Sequence, residues 1–380
     1  MPQRQCVFVH SPEIEQYHYP PDSPFKTQRA AQTRALLISM GLFEGEGRRE
    51  VAPVAATRAE AELFHTPAYL DILARTAGGD FVAADLESGL GTPETPVFRD
   101  QLTYAMLAAG ASLTGARALL DGSADIAFNP SGGYHHAYAD RAGGFCYIND
   151  VVLACRVLRD AGKRVFCLDL DAHHGNGTQA AFYGDPAVLT MSLHESGATL
   201  YPWGGFEDEI GESPGRGFNV NMPLPAGTDD DAFELAFRNS VLPLLSAYNP
   251  DVIVLELGMD VLTGDPLTHL CMTNNAFADV LPALLAHNKP MLVTGGGGYH
   301  PRNTARGWAL AWTVLCGLEE TNDEWVGMGG VFLGSSEWAA GLRDMKTYSQ
   351  QQDHDRVHAE IRTSLDKLRR LVFPIHNILP

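Results

Sequence analysis

Val165-Phe-Cys-Leu-Asp-Leu-Asp-Ala-His-His-Gly175 is the stretch on which the reading of this chain turns. It begins as an apolar run and ends with Asp169, Asp171 and His173 on alternate residues. In an extended strand, residues i, i+2 and i+4 share one side. Two carboxylates and an imidazole therefore face together, while Leu168, Leu170 and Ala172 face away. Like charges beside a buried strand repel, and each gives up hydration worth several kcal/mol. A bound cation relieves both costs. The alternative is structural: one aspartate caps the following helix and the other accepts backbone hydrogen bonds.

Similar strands recur on both sides of this segment, at Gln5–Val9, Asp125–Asn129, Arg164–Leu170, Ala187–Leu193, Val252–Leu257 and Pro290–Thr294. Helical patterns lie between or beside them at Thr27–Met40, Pro96–Leu120, Asn149–Ala161, Asp230–Ala247 and Asn274–His287. Near-continuous apolar strands are those covered on both faces, as in a parallel sheet. The alternation predicts a single α/β domain with a central, mostly parallel sheet flanked by helices. Asp355–Leu371 reads as a polar amphipathic helix, followed by a tail that is either docked or loose.

Composition narrows the function. Hydrophobic residues make up 45% of the 380, enough for a large core, and no apolar run approaches the ~18 residues of a membrane span. The N-terminal segment carries no export signature, and the six cysteines are scattered without a CxxC pair. Both features predict a cytoplasmic protein with reduced thiols. A formal charge of -19 argues against nucleic acid, because phosphate binding needs a basic footprint. It suits a cationic partner such as a lysine-bearing protein or a polyamine, or simply keeps the protein soluble.

Polar residues gather where the strands end. His135 and His136 follow one strand, Asp171 and His173 the next, Asp260 a third, and Gly295–Tyr299 a fourth. Ligands of open α/β sheets bind outside these carboxyl ends, so four loops are expected to converge. Asp171, His173 and Asp260 would supply two oxygens and a nitrogen, leaving one position open, as in a catalytic zinc site. The tandem imidazoles can divide proton uptake and proton donation near neutral pH, although adjacent histidines are often surface residues. Asp169 is a natural orienting partner for one of them and Asn176 for the other. Gly295-Gly-Gly-Gly-Tyr299 lacks the Lys-Ser/Thr of a phosphate loop. Its glycines, Gly297 and Gly298 among them, instead let backbone approach a substrate closely. Tyr299 is placed to donate to an oxyanion, or else is a rim aromatic.

Six segments, in order, resemble the histone deacetylase family of the arginase/deacetylase fold. They are Pro130-Ser-Gly-Gly-Tyr-His-His-Ala137, Gly144-Phe-Cys-Tyr-Ile-Asn-Asp150, Asp169-Leu-Asp-Ala-His-His-Gly175, Met191-Ser-Leu-His194, Gly258-Met-Asp-Val-Leu-Thr-Gly-Asp-Pro266 and Gly295-Gly-Gly-Gly-Tyr299. Gly89-Leu-Gly-Thr92 and Phe206-Glu-Asp-Glu-Ile-Gly-Glu212 look closest to bacterial acetoin-utilisation-type and deacetylase-like members. The resemblance spans residues 11–317 of a single domain 1–380, with a C-terminal helical extension over 318–380.

The resemblance implies one catalytic zinc ion on Asp171, His173 and Asp260, a catalytic pair in His135 and His136, and a carbonyl-polarising Tyr299. It also implies a structural potassium ion held by the side chains of Asp169 and Ser192 and the backbone oxygens of Asp171, His173 and Leu193. Gly144 would accept the substrate amide, Phe145 and Tyr201 would wall an acyl-lysine tunnel, and Leu267 would stand near its mouth. Arg29 resembles an arginine lining an acetate-release channel, and Glu94 a rim acid that holds the substrate backbone. The expected reaction is hydrolysis of an acetyl or short acyl group from a lysine-like amine.

Four positions depart from the family pattern. Asn176 stands where many members have aspartate, Tyr201 where phenylalanine is common, Glu256 where glutamine is usual, and Met259 beside Asp260 where a small residue is usual. Three rivals remain. An acetylpolyamine amidohydrolase shares the chemistry. A non-catalytic acyl-lysine binder would not need the intact catalytic set. An arginase-like dimanganese enzyme would need further carboxylates where His174, Asn176 and Leu262 stand. The oligomeric state is open, with a homo-oligomer among the options.

Overall fold

The computed structural model describes residues 4–318, 341–345 and 351–379. Eight strands are present among them: β1 (Cys6–Val9), β2 (Arg48–Val51), β3 (Ile126–Asn129), β4 (Val165–Asp169), β5 (Val188–Glu195), β6 (Asn219–Leu224), β7 (Val252–Glu256) and β8 (Met291–Thr294). They form one sheet in the order β2-β1-β3-β8-β7-β4-β5-β6. Every pairing is parallel, so the sheet is wholly rather than mostly parallel. After β3 the chain jumps outward to lay down β4, β5 and β6, then returns to fill the gap with β7 and β8. Loops leaving β3 and β4 therefore diverge, which opens a crevice above β8 and β7.

Side-chain alternation sorts the two faces. Val165, Cys167, Val252, Val254 and Leu292 pack on one side, against α4 (Gln101–Leu120) and α5 (Asp150–Asp160). Phe166, Leu168, Ile253, Leu255 and Val293 pack on the other. That face is covered by α1 (Arg29–Ser39), α7 (Asp230–Tyr248), α8 (Asn275–Leu285), α9 (Pro301–Leu315) and α10 (Gln351–Leu371). At the carboxyl end the alternation delivers a polar row. Asn129, Thr294, Glu256, Asp169, Ser192 and Asn221 are register partners from β3 across to β6, and all six are buried.

Two strands escape the periodicity rules. Arg-Arg-Glu-Val of β2 is a charged, half-exposed edge strand, and charged residues on an edge discourage unwanted pairing. Asn-Val-Asn-Met-Pro-Leu of β6 carries a proline that only the outer strand of a sheet tolerates. α9, for which the sequence reading named no helix, is buried at every position from Thr304 to Leu315. α3 (Pro67–Ala77) does carry a start signal, Thr66 capping Tyr69 N–H with Pro67 at the first helical position. The short α2 (Arg58–Ala61) and α6 (Asn176–Phe182) complete the helices described.

The tail after α10 is docked: Phe373 is buried and the His376 ring bonds Gly217 O at 2.7 Å. Residues 319–340 and 346–350 of the expected C-terminal extension lie outside the described residues. Among the described residues, no helix is long and apolar enough to cross a membrane.

Candidate active site

Four loops meet above β3, β8, β7 and β4. Asp171 and His173 follow β4, and Asp260 follows β7. One ligand atom from each lies within 4.8 Å of the others, and all three residues are buried. His173 Nδ1 is 2.9 Å from Asp260 Oδ2 and 3.3 Å from Asp171 Oδ1. Backbone donors aim the carboxylates: His173 N–H at Asp171 Oδ1, Gly297 N–H at Asp171 Oδ2 and Ala172 N–H at Asp260 Oδ1. Gly297 has to be glycine, because a Cβ there would lie 2.0 Å from Asp260 Oδ2.

The charges of this triad call for a cation. Burial alone would lower the His173 pKa, yet its bonds to Asp171 and Asp260 raise it to about 10. Burial and the neighbouring Asp171 raise Asp260 to about 7. A divalent ion on the same two oxygens and one nitrogen would take the place of the proton that His173 shares with Asp260 and Asp171. The donor set fits zinc.

The histidine pair is held from beneath. Asn149 caps α5 and donates through Nδ2 to His135 O and Ala137 O. Asp150, fully buried, accepts the Gly133 and Tyr134 N–H groups and a bond from Ser112 Oγ. No motif rule reveals Asn149 or Asp150 as supports, since their partners are backbone groups far along the chain. His135 Nδ1 lies 2.8 Å from Asp169 Oδ2, and His136 Nδ1 lies 2.9 Å from Asn176 Oδ1. The same Asn176 oxygen accepts the Gly177 N–H, which fixes the amide orientation and makes His136 Nδ1 a donor. The two Nε2 atoms stand 3.1 Å apart.

Their basicities diverge. Burial would lower His135, but Asp169 and Asp171 outweigh it and hold the ring above the ordinary imidazole range. Burial, reinforced by the charges of His135 and His173, drives His136 well below that range. Glu256 sits behind His135. Its Oε1 is 3.1 Å from His135 Nδ1 but lacks hydrogen-bond alignment, and neither carboxyl oxygen has a hydrogen-bond partner among the described residues. Burial, then Asp169 and Asp171, push this carboxyl well above the usual glutamate range. His135, Asp169 and Glu256 also bring ligand atoms within 4.8 Å of one another. The His135 Nδ1–H is given to Asp169, and Glu256 stands beside that pair without joining its hydrogen bond.

Tyr299 closes the opposite wall, its ring edge-on to His173 at 6.3 Å and 5.6 Å from Phe145. Burial and the nearby Asp260 and Asp171 raise its hydroxyl well above the usual phenol range, so it stays protonated as a donor. Tyr201 packs edge-on to His136 at 5.2 Å. Leu267 and Tyr299 are partly buried against the aromatic cluster that includes Phe145. Phe145 adopts a left-handed backbone with φ of 65°. Gly144 abuts the His136 ring so closely that a Cβ would lie 2.2 Å from it.

Arg29 lies buried behind Tyr299, donating from Nη1 to Gly298 O at 2.8 Å and stacking on Phe25 and Trp308. Ser192 is the register partner of Asp169, and both line a small cavity with His174, Gly175 and Gln179. Leu193 follows in β5. Glu94 is exposed, yet close enough to Tyr201 for its charge to raise that hydroxyl's pKa, after the larger effect of burial. Met259 packs its sulfur against Gly307 of α9. Asp265, quoted above within the segment Gly258–Pro266 but given no role there, takes the Tyr299 and Leu267 N–H groups on its carboxylate.

Known proteins resemble this chain in sequence and fold. The histone deacetylase domain model matches residues 23–315. The acetoin utilization protein AcuC of Bacillus subtilis (strain 168) is 37% identical over 334 residues, covering 85% of this chain and 86% of that protein. Histone deacetylase 8 of Danio rerio is 38% identical over 316 residues, 82% of each chain. The crystal structure of a histone deacetylase homolog from Aquifex aeolicus matches with a TM-score of 0.83 and 30% identity, covering 96% of this chain and 99% of that one. A homolog complexed with SAHA matches with the same TM-score of 0.83 at 31% identity and the same 96% and 99% coverage. The family model, the relatives and the solved structures each match over most of the chain's length, and the chain belongs to the histone deacetylase family.

Proposed function

We propose that this protein is a zinc-dependent hydrolase that removes an acetyl or other short acyl group from a lysine side chain. The observation that carries this reading is the juxtaposition of the Asp171–His173–Asp260 triad with two unlike histidines and a protonated tyrosine. Zinc held by Asp171, His173 and Asp260 would supply Lewis-acid polarisation of the acyl carbonyl and make bound water more acidic.

The chain's own groups do the rest. His136, with Nδ1–H on Asn176, keeps an unprotonated Nε2 that stands 3.1 Å from His135 Nε2, and it takes the proton of the attacking water. His135, charged and backed by Asp169, holds a proton beside it and stabilises the negative charge that builds up on the acyl carbon's oxygens. The Tyr299 hydroxyl donates to the developing oxyanion from the other side. A histidine then returns a proton to the departing amine. Phe145 and Tyr201 flank the extended lysine stem, Gly144 O accepts its amide N–H, Leu267 and Glu94 stand at the mouth, and Gly297 and Gly298 line the acyl end.

Asp169, Ser192 and the backbone oxygens of Asp171, His173 and Leu193 would hold a potassium ion that stiffens the β4 and β5 ends. Arg29 would line the exit for the released acid. The chain is proposed as one catalytic unit with the helical extension 318–380, acting in the cytoplasm on acylated proteins or amines and not on nucleic acid.

The test is turnover of an acetyl-lysine peptide by metal-stripped protein resupplied with zinc. Tyr299→Phe should lose on the order of 100- to 1000-fold in kcat. Near wild-type turnover by that variant would overturn Tyr299's role, and two bound ions per chain would favour a two-metal ureohydrolase. Peptide retention without acetate release would favour a binding protein, and faster turnover of acetylputrescine would move the substrate to polyamines.

A further inference from the structure

We propose that Asp265 is a positioning residue for Tyr299, acting as one jaw of a clamp on the peptide bond that precedes it; this rests on the deacylase reading above. Gly298 C=O and Tyr299 N–H belong to the same peptide unit. Arg29 Nη1 donates to that carbonyl at 2.8 Å, and Asp265 Oδ2 accepts that N–H at 2.7 Å. Both gripping side chains are buried, at 4% and 9% exposure. A peptide plane held at both ends fixes where the next Cα begins.

The clamp answers a problem posed by the sequence. Tyr299 follows four consecutive glycines, which carry no side chain to anchor the strand end. Gly296 and Gly298 adopt φ of 155° and 131°, conformations nearly closed to other residues and entropically costly to hold. Downstream, His300 caps α9 and Pro301 opens it, so the chain is fixed again one residue later. Gly297 is held by its N–H on Asp171 Oδ2 and its C=O on Met259 N–H, and the 298–299 peptide bond is the last grip on the chain before Tyr299.

Asp265 is itself secured. Its N–H donates to Leu262 O at 3.1 Å, and its Oδ1 accepts the Leu267 N–H at 3.0 Å. Pro266 restricts it to an extended backbone. One carboxylate thus ties the tyrosine wall to the tunnel mouth. A catalytic donor displaced by ~1 Å can lose about 100-fold in rate, so an anchor of this kind matters to catalysis without touching substrate.

A double-mutant cycle tests it. Asp265→Ala in the zinc-loaded protein should lower kcat on an acetyl-lysine peptide by about 10- to 100-fold. The same change in a Tyr299→Phe background should cost less than about 2-fold, because the hydroxyl it positions is gone. Asp265→Asn, which keeps one acceptor oxygen, should fall between and still report if the alanine variant fails to fold. Hydrogen exchange of metal-free protein gives an independent readout: amides of residues 295–299 should exchange faster in Asp265→Asn, with β8 unchanged. Equal losses in both backgrounds, or unchanged exchange at 295–299, would overturn the proposal. Absence of turnover by the wild type would sink the deacylase reading instead, while the exchange experiment would still judge the clamp.

Discussion

His135 and His136 are neighbours in sequence and 3.1 Å apart at their Nε2 atoms, yet they belong to differently charged halves of the pocket. His135 faces Asp169 and, behind it, Glu256. His136 faces the neutral amide of Asn176 and the Tyr201 ring. Both rings are buried, so burial cannot distinguish them; the partner at Nδ1 does. The carboxylates raise the pKa of His135, while burial and the neighbouring imidazoles lower that of His136, which has only an amide to offset them. Two identical side chains thus acquire opposite tasks from residues 34 and 40 positions away.

Removing the charged half should have the largest effect. Asp169→Asn should strip His135 of its counter-charge and lower kcat on the order of 100- to 1000-fold, measured in steady state with zinc present. A loss under about 3-fold would mean that Glu256 or the solvent can replace Asp169.

Making the two halves alike should shift the pH profile more than the peak rate. Asn176→Asp places a carboxylate against His136 and raises its pKa. A base with a raised pKa stays protonated to higher pH, so the acidic limb of kcat/KM should move upward by about 1 unit. A limb that stays in place would assign the base to another group.

The smallest effect should come from Glu256→Gln, read in stability. The Glu256 carboxyl is raised in the folded protein, so the native state binds this proton more tightly than the unfolded chain does. Stability from this source is present below the ordinary glutamate pKa and is lost as pH climbs towards the folded value. Glutamine removes the slope, and roughly 1–3 kcal/mol is the scale of a buried group left unpaired. Denaturant midpoints of the variant should exceed wild type more at pH 8 than at pH 5. Equal differences at both pH values would show that Glu256 is neutralised some other way.

What the sequence disclosed, and what it hid, follows one line. Asp171 and His173 were legible because a period of two on a buried strand is a geometric statement, and Asp260 because it ends another such strand. The central strands showed for the same reason. β2 and β6 did not, since an edge strand need not be apolar, and Arg48, Arg49 and Pro223 obscure it. Asn149, Asp150 and Asp265 stand inside quoted motifs, but their roles stayed hidden because they work on backbone N–H and C=O groups, which every residue presents alike. That the two histidines differ in task is an expectation of the sequence. Their opposite shifts required the distances to Asp169 and Asn176.

The polar row from Asn129 through Thr294, Glu256, Asp169 and Ser192 to Asn221 has a consequence for assembly of the sheet. Sliding β4 or β7 by one residue would swing Asp169 or Glu256 to the opposite side, among Phe166, Leu168 and Leu255. An ionised carboxylate cannot be accommodated there, so mispaired sheets are rejected. The residues that prepare the chemistry also proofread the fold, and a variant that made the row aliphatic would gain hydrophobicity while losing its unique alignment.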